Sequence, residues 1–135
     1  MRLLFSYLAI LLFVPFMALA ADAPQVTESR NKIIKLTDHG LEPKQLEMKP
    51  EDMVLFFLND STESLVTVEV DYGKKTMHCS GGNLKAGEDG VIRSVRPFGP
   101  KDFATVCFHD PGNYKIKVFG LKNNPKGIES NVLVE

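Results

Sequence analysis

Short runs of alternating apolar and polar residues recur from about residue 31 to the end of the chain, and turn-forming residues separate them. Leu46 and Met48 alternate with polar neighbours, as residues 65–70 do again, and such alternation predicts a strand with one buried face. Residues 53–58 form a continuous apolar run that is short enough for a buried strand and ends at Asn59. Further strands are predicted at residues 33–36, 91–95, 103–108, 114–121 and 132–134.

This pattern predicts an all-β protein in which seven or eight short strands form an antiparallel or mixed β-sandwich. No segment keeps a helical period. Residues 110–113 have the Pro-then-Gly order of a turn, and residues 123–127 read as a loop. The polar stretch from residue 71 to 90 contains several glycines and carries no predicted strand.

The first 20 residues have the features of a signal peptide. Arg2 supplies the positive charge, residues 3–16 are mostly apolar, and Ala18-Leu19-Ala20 is a small-x-small cleavage site. We therefore expect residues 1–20 to be a signal peptide, residues 21–30 a flexible leader and residues 31–135 one domain. A membrane span is the weaker interpretation, because the apolar run is short and contains Pro15. The expected location is the periplasm or the exterior of the cell.

Charge excludes some classes of partner. The chain has 16 Lys and Arg against 17 Asp and Glu, and loss of Arg2 with the signal peptide would leave 15 basic residues. A balance so close to neutrality implies neither nucleic acid nor an anionic membrane as a partner.

Both cysteines of the chain lie beside a histidine, in Met77-His78-Cys79 and in Cys107-Phe108-His109. Thiolate, imidazole and thioether ligands together suit copper best, with zinc second. On an extended strand Cys107 and His109 point to one side, so that both would lie outside the core while Phe108 points into it. The predicted metal ligands are Cys79, Cys107, His109 and His78, with Met77 as a weaker ligand.

A structural disulfide between Cys79 and Cys107 is the alternative, because an exported protein folds where disulfides form. The two clusters are predicted to be neighbours in either case, with Cα atoms within about 7 Å for a disulfide. His39 is isolated and is interpreted as a turn residue. A catalytic Cys107-His109 pair lacks a third orienting group, so that binding is favoured over catalysis.

Three stretches together resemble the cupredoxin family. They are the segment from Leu41-Glu42-Pro43 to Asn59, the Pro111-Gly112-Asn113-Tyr114 turn with its following strand, and the end from Gly127 to Glu135. The resemblance implies a cupredoxin-like Greek-key β-sandwich over residues 31–135. The chain lacks the family's blue-copper ligands at the corresponding positions. Phe119 stands at about the position of the family's thiolate, residues 121–127 hold no His or Met, and no His follows Asn59 before residue 65.

With its candidate ligands at other positions than those of the blue-copper site, the chain is similar to two cupredoxin groups. One group is associated with bacterial iron uptake, and the other with methane or ammonia monooxygenases. The resemblance implies an exported copper protein for copper delivery or storage, or for electron transfer, with an unidentified redox or metal-transport partner. Copper is expected to promote a homodimer, because a two-fold axis places the same ligands opposite one another. The alternatives are a metal-free, disulfide-bonded interaction domain and a periplasmic metal oxidase that serves ferrous iron uptake.

Overall fold

A computed structural model describes residues 30–49, 52, 54–73, 75 and 79–135. The described residues form β-strands joined by turns and loops, and none of their segments is a helix long and apolar enough to span a membrane. The strands are β1 (Asn31–Thr37), β2 (Gly40–Glu42), β3 (Leu46–Met48), β4 (Val54–Asn59), β5 (Thr67–Asp71), β6 (Ser80–Gly81), β7 (Leu84–Ala86), β8 (Val91–Ser94), β9 (Phe103–Cys107), β10 (Gly112–Phe119) and β11 (Ile128–Val134).

Two sheets form a Greek-key sandwich, as predicted. The first, called sheet A here, has the order β2-β1-β4-β9-β6, and the second, sheet B, has the order β3-β11-β10-β5-β8-β7. Most neighbours are antiparallel, but β1 pairs with β4 and β3 pairs with β11 in parallel. The sandwich is therefore of the mixed type.

Alternation along the strands places the core between the sheets. In β4, Leu55 and Phe57 have no exposed surface, and β10 buries Ile116 and Val118 in the same way. Residues of the two inner faces pack into one cluster. The largest fully buried side chains of the core are aliphatic or aromatic and include Ile34, Leu36, Met48, Leu55, Phe57, Ile92, Ile116 and Leu121.

The predicted strands correspond to the longer observed strands and to the three-residue β3. Among the described residues, seven strands have four or more residues (β1, β4, β5 and β8–β11). The sequence pattern missed β2, β6 and β7, which have three residues or fewer. The turn predicted at residues 110–113 is also shorter than expected, because β10 begins at Gly112.

Candidate metal centre

A disulfide joins Cys79 to Cys107 at one end of the sandwich. The two Cα atoms are 5.4 Å apart, which confirms the predicted proximity of the two clusters. Cys107 ends β9, and its N–H donates to the carbonyl of Cys79 at 3.3 Å. Directly after Cys79, β6 pairs with β9 at the edge of sheet A. The chain around residue 79 is thus attached to β9 by the disulfide and by backbone hydrogen bonds.

His109 lies beside this disulfide. Ligand atoms of Cys79, Cys107 and His109 all lie within 4.8 Å of one another. In the described part of the chain, these three side chains form a group that could hold a metal ion. The structure therefore brings together three of the five predicted ligands. The other two, Met77 and His78, lie outside the described residues.

The three side chains differ in exposure. His109 is exposed and Cys79 is half-buried, whereas Cys107 is only 7% exposed. The prediction that β9 turns Val106 and Phe108 into the core is confirmed. Cys107 does lie on the opposite side of β9 from them, but it is not open to solvent as expected. Its sulfur is bonded to that of the half-buried Cys79.

An aromatic cluster lies beneath the disulfide. The rings of Tyr72 and Phe108 are stacked, with centroids 5.3 Å apart, and the Tyr114 ring lies 4.6 Å from Phe108 and 5.0 Å from Tyr72. The hydroxyl of Tyr72 donates to the carbonyl of Cys107. Burial, and secondarily the nearby Tyr114, raise the pKa of Tyr72, so that its hydroxyl keeps the proton that this hydrogen bond needs.

These tyrosines were not among the predicted site residues, although both are buried, with Tyr72 5% and Tyr114 2% exposed. Alternation indicates both directions, because Tyr114 shares the inward face of β10 with Ile116, and Tyr72 continues the series of the buried Val68 and Val70. The strand period alone does not show that the two rings meet.

The opposite end of the sandwich contains residues 59–65 and 119–127, the two segments that correspond by motif to the blue-copper ligand positions. These segments do meet, since the N–H of Lys122 donates to the hydroxyl of Ser64 at 3.1 Å, and Lys122 pairs with Glu63 at 2.7 Å. Leu121 and Asn59 have no exposed surface there. An aliphatic side chain and a buried amide occupy this end, and neither suits copper.

His39 also lies at that opposite end. Its Nδ1 is 3.4 Å from the amide nitrogen of Asn123, and its side chain is exposed in the turn between β1 and β2. The length of β4, roughly 17–20 Å for six residues, separates this end from the Cys79–Cys107 disulfide. His39 cannot reach the other three candidate ligands, in agreement with its interpretation as a turn residue.

The donor set at the disulfide end fits copper only in one redox state. Two thiolates and an imidazole suit Cu(I), and zinc second, whereas the sulfurs of a disulfide are poor ligands. The positions of the three groups fit a metal ion once the disulfide has been reduced. In the oxidised state Cys79 and Cys107 form a disulfide that stabilises the domain.

No family model matches the chain, and no curated protein matches it significantly. Solved structures do match. Dithionite-reduced auracyanin from the photosynthetic bacterium Roseiflexus castenholzii is 14% identical, with a TM-score of 0.53 over 79% of this chain and 98% of that one. A reduced Cu(I) form of an amicyanin variant is 13% identical, with a TM-score of 0.49 over 78% and 82% of the two chains.

Auracyanin B is a further similar structure, with 11% identity and a TM-score of 0.48 over 78% of this chain and 88% of that one. The match to the Roseiflexus auracyanin shows that the chain has the cupredoxin fold, as the sequence motifs predict. At such low identity the likeness concerns the fold and not the site.

Proposed function

We propose that this protein is an exported, cupredoxin-fold protein that binds copper through Cys79, Cys107 and His109 when its disulfide is reduced. The observation that carries the proposal is that the ligand atoms of these three residues lie within 4.8 Å of one another. Met77 and His78 are proposed as additional ligands because they directly precede Cys79 in sequence. Copper is preferred to zinc because the set is rich in thiolate.

Reduction must precede binding. Opening the disulfide requires two electrons and two protons, and a dithiol donor that itself becomes a disulfide supplies both. Copper then displaces the protons of the Cys79 and Cys107 thiols. Re-formation of the disulfide removes both thiolates from the metal. Binding and release would therefore follow the redox state of one pair of cysteines.

This coupling favours delivery or storage of copper over electron transfer. An electron-transfer site keeps its ligands fixed while the metal changes charge, whereas here the ligands themselves change state. The half-buried Cys79 and the exposed His109 are open to a partner that donates or accepts the metal. Such a partner is expected among exported metal-transport or redox proteins, and residues 1–20 are proposed as the signal peptide that directs the chain there.

Copper retention in the reduced protein tests the proposal. Reduced protein is loaded with Cu(I) without oxygen, desalted and analysed for metal. We expect about one equivalent or more in the wild type, and at least a tenfold loss of affinity in His109→Ala, because one of three ligands is removed. Far-UV circular dichroism of metal-free His109→Ala should match that of the wild type, so that the loss of copper reports on the ligand and not on the fold. The matched control is His39→Ala, which should bind like the wild type.

A metal-free interaction domain is the second candidate, and the disulfide itself favours it. In that case the fully reduced protein retains no copper after desalting, and His109→Ala changes nothing. Equal loss of copper in His39→Ala and His109→Ala would also reject the proposed site.

A further inference from the structure

The two halves of the Cys79–Cys107 disulfide differ in access. Cys107 is 7% exposed and ends β9, whereas Cys79 is half-buried and lies just before β6. A thiolate that opens a disulfide attacks one of its two sulfurs, and the rate depends on which of them it can reach. Access therefore favours attack on the sulfur of Cys79.

The chain around the two cysteines also differs in how firmly it is held. Cys107 stands opposite Val54 of β4, and its carbonyl accepts the hydroxyl of Tyr72. The next residue, Phe108, is part of the buried core. Cys79 instead precedes a two-residue strand at the edge of sheet A. A donor bonded to Cys79 therefore displaces fewer contacts than one bonded to Cys107.

We propose that a dithiol opens this disulfide by thiol–disulfide exchange at Cys79, with Cys107 as the leaving sulfur. The proposed copper site requires reduced cysteines, so this exchange rests on the proposed function and supplies its first step. Cys107 keeps its place at the end of β9 while Cys79 carries the donor.

The exchange has two steps. A donor thiolate attacks the Sγ of Cys79, a new bond joins the two sulfurs, and the electron pair of the broken bond stays on the Sγ of Cys107. The second donor thiolate then attacks the donor sulfur of this mixed disulfide, so that the donor becomes a disulfide and the electron pair stays on Cys79. The two donor protons end on the two cysteine thiols, so that two electrons and two protons pass to the protein.

The backbone around the disulfide favours a dithiol over a monothiol donor. The N–H of Cys107 donates to the carbonyl of Cys79, and β6 pairs with β9, so that the two cysteines are held together without their sulfurs. The Cys107 thiolate is therefore at high effective concentration beside the mixed disulfide, and it expels a monothiol by re-forming the original bond. The second thiol of a dithiol is tethered equally close, so that it competes with this return.

The position of a mixed disulfide tests the proposal. The oxidised, metal-free protein is treated with excess glutathione, quenched with acid at short times and alkylated with N-ethylmaleimide, and its peptides are analysed by mass spectrometry. We expect glutathione on Cys79 with N-ethylmaleimide on Cys107, in about tenfold or greater excess over the reverse pattern.

The matched control is the same oxidised protein unfolded in urea. Both cysteines are then accessible, so that the two patterns should be about equally abundant. Glutathione mainly on Cys107 of the native protein, or a native pattern equal to the pattern in urea, would overturn the proposal.

The extent of reduction tests the choice of donor. At equal thiol concentration, dithiothreitol and a reduced thioredoxin should give the doubly reduced protein, whereas glutathione should give about tenfold less of it or lower still. The relative rates of the first two donors distinguish a small dithiol from a protein dithiol. Equal reduction by glutathione and dithiothreitol would overturn the role of a dithiol.

These measurements are separate from the copper experiment. They use no metal, and protein reduced with a phosphine can be loaded with copper without any thiol donor. Failure of exchange at Cys79 would therefore leave copper binding standing, and failure of copper retention would leave the position of the mixed disulfide unchanged.

Discussion

Asn59 connects three segments at the end of the sandwich away from the disulfide. Its amide nitrogen donates to the carbonyls of Ser64 at 2.8 Å and Phe98 at 2.9 Å, and its amide oxygen accepts the N–H of Ser61 at 3.1 Å. Asn59 has no exposed surface, so water cannot replace these bonds. The residue therefore holds this end closed by hydrogen bonding.

Replacement of Asn59 by alanine should be strongly destabilising. It removes the amide donor of the buried Ser64 carbonyl and the acceptor of the Ser61 N–H and hydroxyl, and each such loss costs about 1–3 kcal/mol. We expect a loss of about 3 kcal/mol in the free energy of unfolding, measured by urea denaturation. Asn123→Ala, at an exposed position of the same end, should change stability by less than about 0.5 kcal/mol. A loss below about 1 kcal/mol in Asn59→Ala would show that the amide is not essential.

Single residues also show what the sequence could and could not predict about the site. The strand period was enough to separate Cys107 from Val106 and Phe108, because side chains alternate along an extended chain. It could not predict that Cys107 is buried, since that depends on Cys79, which is 28 residues away in sequence. It also left the choice between a disulfide and a metal open, because both need the same two cysteines.

Among the strands, β6 depends most on a covalent link. It has two residues, pairs only with β9 in the described sheet, and follows Cys79 directly. A two-residue edge strand forms few backbone hydrogen bonds with its neighbour. The disulfide therefore fixes the chain around residue 79 against β9.

Removal of the disulfide should destabilise the domain. For a sequence separation of 28 residues, the loop entropy lost from the unfolded chain corresponds to about 3–4 kcal/mol. We expect the Cys79→Ala/Cys107→Ala double variant to unfold at correspondingly lower denaturant concentration than the oxidised wild type. The reduced wild type serves as the control and should resemble the double variant. Equal midpoints for the oxidised and reduced wild type would contradict this expectation.

The turn between β7 and β8 contains a bidentate ion pair. Arg93 donates to both carboxylate oxygens of Asp89, at 3.0 and 2.8 Å, and the N–H of Val91 donates to one of them at 3.1 Å. These hydrogen bonds, with that of Arg93 the largest cause, lower the pKa of Asp89 to about 2. In the unfolded chain an aspartate pKa is about 3.9.

The pH dependence follows from this lowered pKa. The pair stabilises the folded state above about pH 4, and its contribution is lost as the pH falls toward 2 and the carboxylate takes up a proton. In Asp89→Asn, the unfolding temperature should therefore fall less steeply than in the wild type between about pH 4 and 2. Parallel curves for the two proteins, followed by circular dichroism, would rule out the contribution of this pair.

Elements were predictable where the pattern of apolar and polar residues lasted for four or more residues. Thus β10 was evident from its alternation and β4 from a continuous apolar run. In contrast, β6 and β7 lie in the polar stretch from residue 71 to 90, and two or three residues cannot display a period. They form because β9 and β8 offer edges to pair with, which is a tertiary effect.

At the scale of the whole molecule, the cupredoxin fold separates two features. One end is closed by Asn59 and Leu121, and the other end carries Cys79, Cys107 and His109. The fold could be inferred from the order of short motifs, since strand and turn patterns are local. The proximity of the two cysteine clusters could be inferred from their chemistry, but the pairing of β6 with β9 that brings them together depends on the topology of sheet A.

The central claim is that copper binds at the disulfide end once the cysteines are reduced. Extended X-ray absorption fine structure at the copper edge of the reduced, Cu(I)-loaded protein tests it most directly, because it separates sulfur neighbours from nitrogen or oxygen neighbours and counts each kind. We expect at least two sulfur neighbours and at least one imidazole nitrogen, with one nitrogen fewer in His109→Ala and two sulfurs fewer in the Cys79→Ala/Cys107→Ala variant. A copper shell of nitrogen and oxygen alone, or a spectrum unchanged in these variants, would contradict it.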